Sequence, residues 1–502
     1  MKAHALASML LLLAAGCDGD ARARGPISGE EVAAHVRVLA ADSMGGRGAG
    51  TFGFARAAAY AVRTFREAGA DPLIWPDAGA PTYLQRVPLT ILGDDAAGAL
   101  VVDDGSAPNT IPLDGEQVIV LVPGKLPGPV PPAAPVFVGY GIYDAVGGWD
   151  DYAGLDVRGR VVLAVEGPPE PAHVPGMPAA VRVRFRDPVA ANNHKVGVAM
   201  VRGAAAVLVL APPSGMDWKG FRSGRPRVLP AWTEPGLPVR DHATPVLAIH
   251  PALADRLLAR SGLELYRATT RYRPLTLTDV RLGLQLQARR TAVTSPNVIA
   301  VVPGNDPRRR SEYVLVSAHL DGLGTQDGRV FPGANDDASG SAVVLALART
   351  LALRPPSRSV LLALFTAEEA GLLGSRWFAG HLPVPRSAIR ANVNLEHLGH
   401  TSDRPCLVLA PATLRPAAIA AQHAAPDLAL DIRDPADAPA IYASGDNQSL
   451  ARIGVPALSF GCGGDELYHQ PADRAERIAP ETLRQAAAVA EAMVMTLAGG
   501  RE

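Results

Sequence analysis

Four strand-like runs, each followed closely by carboxylates or imidazoles, restrict what this chain can fold into. Tyr313–Ser317 leads to His319 and Asp321, and Val360–Phe365 leads to Glu368 and Glu369. Ala391–Leu395 leads to Glu396, with His397 and His400 behind it, and Val455–Phe460 leads to Asp465, Glu466, Tyr468 and His469. A continuous apolar run suits a strand covered on both faces better than a half-solvated one. Helix-like stretches at Ala338–Leu353 and Pro480–Leu497 alternate with the runs. This predicts an α/β fold with a mixed, mostly parallel central sheet and helices on both faces. Ligands gather beyond the carboxyl ends of such strands, which is where the acidic and histidine residues fall.

Composition supports a large folded core and excludes several classes. At 502 residues the chain has room for two domains or more. Hydrophobic residues make up 48% and charged residues 19%, with a formal net charge of −1. That balance argues against a nucleic-acid binder, which carries a basic excess, and against a disordered chain. With 50 glycines and 45 prolines in no repeating pattern, many loops are expected, and 3 cysteines are too few for a disulfide scaffold.

The N-terminus reads as an address. Lys2 precedes an apolar run, Ala5 to Ala15, far shorter than the ~20 residues of a membrane-spanning helix. The sequence Leu13-Ala14-Ala15-Gly16-Cys17 resembles the lipobox of bacterial lipoproteins. The resemblance implies a signal peptide over 1–17, lipidation of Cys17, a polar tether over 18–26 and an exported protein held on a membrane by its lipid alone, in the periplasm or at the cell surface. A plain signal peptide with an incidental cysteine is the alternative. Cys406 and Cys462 then remain, as a disulfide or as two separate thiols.

Ser28-Gly29-Glu30-Glu31 has the capping-box form, and a second helix fits Phe54 to Phe65 with Gly69 closing it. Prolines 123, 127, 129, 131 and 132 mark a candidate boundary. Beyond them, Gly139-Tyr140-Gly141, Asp151-Tyr152-Ala153-Gly154-Leu155-Asp156-Val157 and Gly203-Ala204-Ala205-Ala206 resemble the protease-associated domain inserted in many exopeptidases. The expected organisation is a smaller, β-rich insert over 116–275 within a discontinuous domain made of 27–115 and 276–502.

Taken singly, the polar motifs are weak. A His-x-Asp pair is commonly a satisfied loop contact, adjacent glutamates suit a solvated helix start, and a glycine-bracketed Asp-Asp can simply cap a helix. As an ordered set they are specific. His319-x-Asp321, Gly333-Ala334-Asn335-Asp336-Asp337-Ala338-Ser339-Gly340, Glu368-Glu369, Asn394-Leu395-Glu396 and Tyr468-His469-Gln470-Pro471-Ala472-Asp473 resemble the di-zinc exopeptidases, which include bacterial leucyl aminopeptidases and the glutamate carboxypeptidases.

The resemblance implies two zinc ions, one held by His319 and Glu396 and the other by Glu369 and His469, with Asp336 bridging them. Imidazole and carboxylate donors suit that metal. Asp337 would support the ligands from behind, across an Asp336–Asp337 peptide often cis in that family. Asp321 would orient the His319 ring by accepting its second N–H. Glu368 would be the general base, taking the proton of the attacking water and passing it to the departing amine, and Tyr468 would stabilise the oxyanion or simply pack.

Two departures stand out. Position 396 is glutamate where many relatives have aspartate, and Ser444-Gly445-Asp446-Asn447 lacks the histidine that often follows the aspartate. His397 and His400 fall outside the implied ligand set. The expected activity is removal of N-terminal residues from peptide substrates. A carboxypeptidase of the same fold and an inactive, receptor-like binding ectodomain are the alternatives.

Overall fold

Local signals near the start of the chain are honoured. The Ser28 hydroxyl accepts the Glu31 N–H at 3.1 Å and opens the helix Gly29–Leu39. The Glu31 carboxylate does not close a capping box, because the Arg349 guanidinium takes it at 2.8 Å. The helix Phe52–Ala68 starts on Thr51 and ends at Gly69, whose φ of 81° is the left-handed conformation a Cβ disfavours.

The computed structural model describes residues 25–499 apart from 76–78, 93–96, 106–108, 123–127, 187, 212–217, 219–227, 233–243, 266, 268–269, 288–289, 327, 400–404 and 464–465. The expected signal peptide 1–17 with Cys17, most of the tether, His400 and Asp465 lie outside the described residues. Among the described residues no helix is long and apolar enough to cross a membrane.

A sheet of 9 strands runs in the order Val228–Pro230, Leu84–Leu92, Arg290–Val302, Ser359–Phe365, Tyr313–His319, Ile389–Glu396, Ala457–Gly461, Cys406–Leu409, Leu430–Arg433. Its centre is parallel, with Tyr313–His319 between Ser359–Phe365 and Ile389–Glu396, and Ala457–Gly461 next. Antiparallel pairs flank it on either side. The apolar runs are buried on both faces as their composition predicts. On one face Val314, Leu362 and Val393 pack with Val32, Phe65, Leu347 and Met493 from four helices. On the other, Leu315 and Leu361 pack with Phe378 and Leu450 from the helices Leu373–Gly380 and Asn447–Arg452. Each such side chain contributes roughly 1.5–3 kcal/mol by leaving water.

A smaller unit has a 6-stranded and a 4-stranded sheet over one shared core. The boundaries expected at 115/116 and 275/276 fall inside it. Ala97–Asp103 pairs along its whole length with Arg281–Gln287, and Leu100, Val102, Leu282 and Leu284 share a core with Leu163, Leu208 and Leu247. The insert therefore reaches further in both directions, because pairing between such distant segments leaves no local mark. Part of the proline-rich stretch taken as a boundary forms the edge strand Val130–Ala133, where a missing N–H is tolerated.

Two further links matter. The strand Val228–Pro230, from within the insert, pairs antiparallel with Leu84–Leu92 at the edge of the large sheet. Beside it, Trp232 meets Trp377 edge to face at 4.9 Å. Cys406, which opens its strand, and Cys462, just past the end of the adjacent antiparallel strand Ala457–Gly461, form a disulfide.

Candidate metal centre

The parallel strands end together, and their ends carry the acidic and histidine side chains. His319 is the last residue of its strand. Its amide donates to Asp337 Oδ2 at 3.2 Å, and its Nδ1 lies 3.2 Å from the Asp321 carbonyl, which leaves Nε2 to face the site. There Nε2 is 3.1 Å from Asp336 Oδ1 and 3.9 Å from Glu368 Oε2.

Asp336 and Asp337 sit in the tight turn Ala334–Ala338, joined by a cis peptide bond. Asp473 holds this turn by accepting the Asn335 N–H at 2.9 Å and the Asp336 N–H at 3.2 Å. The two oxygens of Asp336 face different imidazoles. Oδ1 faces His319, while Oδ2 lies 3.1 Å from Nε2 of His469. His469 Nε2 is also 3.1 Å from Glu369 Oε2. Asp337 turns away and binds backbone, accepting the Gly340 and His397 amides at 3.1 Å each.

Asp321 acts differently from the expectation. Its carbonyl, not its carboxylate, is nearest the His319 ring, and the carboxylate is 3.8 Å away. That carboxylate instead accepts the Glu368 N–H at 3.0 Å and the Glu369 N–H at 3.4 Å, fixing both glutamates after their strand. The difference follows from position: the strand ends at His319, so Asp321 lies in a loop that faces the next strand end.

Glu396 ends the strand Ile389–Glu396, and its Oε1 accepts the Asn394 amide at 2.7 Å. A Cβ at Gly445 would stand 2.5 Å from that oxygen, so a side chain there would push the Glu396 carboxylate from its place. Tyr468 stacks on His469 at 3.8 Å and meets His397 edge to face at 5.5 Å.

Charge is concentrated here. Burial, together with Glu369, Asp446 and Glu396, pushes the Glu368 carboxyl well above its usual range. Burial and the charges of Glu396 and Asp336 raise Asp337 in the same way. Burial also opposes the charge of Asp336, yet His397, His319 and His469 hold its carboxyl well below the usual range. Burial lowers His469, but Asp336 and Glu369 outweigh it and bring the imidazole up to about 10. Partial desolvation of the half-exposed Tyr468, together with the charges of Asp336, Glu369 and Glu368, pushes its phenol up.

The donor set fits divalent cations of the zinc type. Asp336, Glu369 and His469 each offer an atom within 4.8 Å of the others. His469 Nε2 is buried and makes no hydrogen bond, although two carboxylate oxygens lie 3.1 Å away. Tetrahedral ligands at ~2.0–2.1 Å from zinc stand about 3.3 Å from one another, so such spacing suits donors sharing an ion.

Three contributors went unassigned in the sequence. Arg47, wholly buried, donates to the carbonyls of Leu320, Leu39, Pro332 and Gly333 behind the turn. Its flanking glycines say nothing about such distant partners. Asp446 is buried, and neither of its carboxylate oxygens is hydrogen-bonded. The sequence offered it only as the aspartate of Ser444-Gly445-Asp446-Asn447, without a role. His397 Nε2 lies 3.4 Å from Asp336 Oδ1, inside the site from which it was set apart.

Comparison with known proteins agrees with this geometry. The profile of Peptidase family M28 matches residues 297–494. Aminopeptidase YwaD of Bacillus subtilis (strain 168) is 30% identical over 213 residues, 41% of this chain and 45% of that protein. An aminopeptidase of Pseudomonas aeruginosa (strain UCBPP-PA14) is 36% identical over 122 residues, 24% of this chain and 21% of that protein. The matches thus span less than half the length of these relatives. Among solved structures, the aminopeptidase from Aneurinibacillus sp. strain AM-1 superposes with a TM-score of 0.62 at 20% identity, covering 96% of this chain and 97% of that one. BSAP, a zinc aminopeptidase from Bacillus subtilis, gives 0.56 at 20% identity over 94% and 95%. The structures show that the fold is shared over nearly the whole length. The family profile covers residues 297–494, which hold His319, Asp336, Glu369, Glu396 and His469, and over that segment the chain is similar to Peptidase family M28.

Proposed function

We propose that the protein is a zinc-dependent aminopeptidase. The observation that carries the reading is Asp336, with one oxygen 3.1 Å from His319 Nε2 and the other 3.1 Å from His469 Nε2. Such an orientation would let one carboxylate serve two ions at once. His319 and Glu396 would hold one, Glu369 and His469 the other. When bound, zinc supplies the Lewis acidity that makes water a competent nucleophile near neutral pH.

The chain's own residues do the rest. Glu368, kept from the water-exposed carboxylate range by burial and neighbouring charge, is suited to take a proton and return it to the leaving amine. Asp321 fixes that glutamate through its backbone N–H. Tyr468 stands beside the site with its hydroxyl available to a developing oxyanion. The surplus of carboxylates, including Asp446, favours a substrate's free ammonium over its carboxylate and so an amino-terminal polarity.

The apolar run 5–15, Cys17 and the Cys406–Cys462 disulfide support export as a lipid-anchored protein. The Gly-Tyr-Gly and Gly-Ala-Ala-Ala motifs support a protease-associated identity for the insert, with the wider limits described above. The test is hydrolysis of leucine p-nitroanilide with and without 1,10-phenanthroline. Expected are cleavage that the chelator abolishes and zinc restores, and no cleavage of the N-acetylated amide. Chelator-insensitive turnover, or preference for N-blocked dipeptides, would overturn the reading.

A further inference from the structure

Side chains alternate along a strand, so the residue after Glu396 should point away from the site. His397 does not. It adopts a φ of 54°, in the left-handed region that a non-glycine residue avoids unless its surroundings impose it. The turn is held on both sides. Asp337 Oδ1 accepts the His397 N–H at 3.1 Å, and the His397 carbonyl accepts the Cys462 N–H at 3.2 Å.

The result is a third imidazole at the shared carboxylate. His397 Nε2 lies 3.4 Å from Asp336 Oδ1, the same oxygen that His319 Nε2 approaches to 3.1 Å. That nitrogen is buried and makes no hydrogen bond, a costly arrangement unless something else engages it. Tyr468 packs against the ring edge and leaves Nε2 directed at Asp336. Its separation from Asp336 Oδ1 again matches the roughly 3.3 Å between two donors on one zinc.

We propose that His397 is an additional metal ligand, joining His319, Asp336 and Glu396 through Nε2 at one ion of the pair. This rests on the reading that the site holds two ions. It makes the halves unequal: two imidazoles and two carboxylates on the His319 side, one imidazole and two carboxylates on the His469 side.

The experiment titrates the metal-free full chain with zinc by calorimetry and with cobalt by visible absorption. His397→Asn is the main variant, because asparagine accepts the left-handed turn but is too short to reach the ion. Should it fold poorly, His397→Gly keeps the turn without strain. The wild type is expected to take up two ions. The variant is expected to bind one of them at least about tenfold more weakly, with an altered cobalt spectrum. Two ions bound with unchanged affinity and spectrum would overturn the proposal. So would a weakened ion with an unchanged spectrum, since His397 would then act on Asp336 alone. A wild type that binds no metal would overturn the catalytic reading as well.

Discussion

Arg47 beside the large sheet and Lys195 in the smaller unit are both wholly buried cations, and the contrast between them separates a candidate ligand site from a structural one. Each spends its donors on backbone carbonyls: Arg47 on those of Leu320, Leu39, Pro332 and Gly333, Lys195 on those of Val165 and Gly167. Around Lys195 the polar groups are mostly answered within the protein. Asp151 accepts the Ile142 amide and the Trp149 indole at 2.8 Å each, and the ammonium lies 5.8 Å from the centre of the Tyr140 ring. One oxygen of Glu166 is the exception. In front of Arg47, by contrast, His469, His397 and Asp446 all present buried atoms without partners. Unanswered polar atoms clustered at strand ends point to a ligand, whereas answered ones point to architecture.

Substitutions should break the two regions differently. Glu368→Gln gives the largest effect: turnover falls about a thousandfold, while bound zinc and the melting temperature stay at wild-type values. Kinetics, metal analysis and a thermal melt read this together, and retained turnover would remove Glu368 from the mechanism. Arg47→Met comes next. It strands four carbonyls and removes the cation facing Asp321, Asp336, Asp337 and Asp473, so denaturant unfolding should show a loss of about 3 kcal/mol or more, with weaker zinc binding.

Lys195→Met should cost about 1–2 kcal/mol and leave kcat unchanged. A drop in kcat matching that of the site variants would erase the distinction between the regions. The smallest effect is on pH. Burial brings the Lys195 ammonium down to about 7, so the folded state binds fewer protons than the unfolded one between there and the ordinary lysine range. The penalty is complete below pH 7 and fades as pH rises, so stability gains from pH 7 towards 10. Asp151, brought up to about 7 by burial, works the other way at lower pH: its contribution declines as pH rises from about 4 to 7. Melts of Lys195→Met across pH 7–10 should lack the alkaline gain.

How much of this was legible beforehand depended on range. The sheet centre was, because Val360–Phe365 and its neighbours are apolar at consecutive positions and buried as such. That ligand-type residues would follow successive strands was legible too, but singling out His319, Asp336, Glu368, Glu369, Glu396 and His469 from Asp321, His397, His400, Asp465 and Glu466 rested on the resemblance to the di-zinc exopeptidases. Arg47 was not, because its carbonyl partners at 320, 332 and 333 are remote in the chain. His397 was hidden by a backbone turn that strand alternation argues against. The insert's true limits, and the pairing of Cys406 with Cys462, depend on which strands become neighbours, and that is decided by the whole sheet.

The short strand Val228–Pro230 carries a practical consequence for anyone trimming this protein to its large-sheet domain. Excising the insert would strip Leu84–Leu92 of its outer partner along Leu89, Thr90 and Ile91, leaving raw backbone on the rim of the large sheet. A naked rim of this kind recruits other chains and seeds precipitation. It would also take Trp232 from Trp377, on the helix that follows Glu368 and Glu369. The two halves are stitched rather than merely tethered, and a truncated version needs a replacement stitch or a charged residue on that rim to stay in solution.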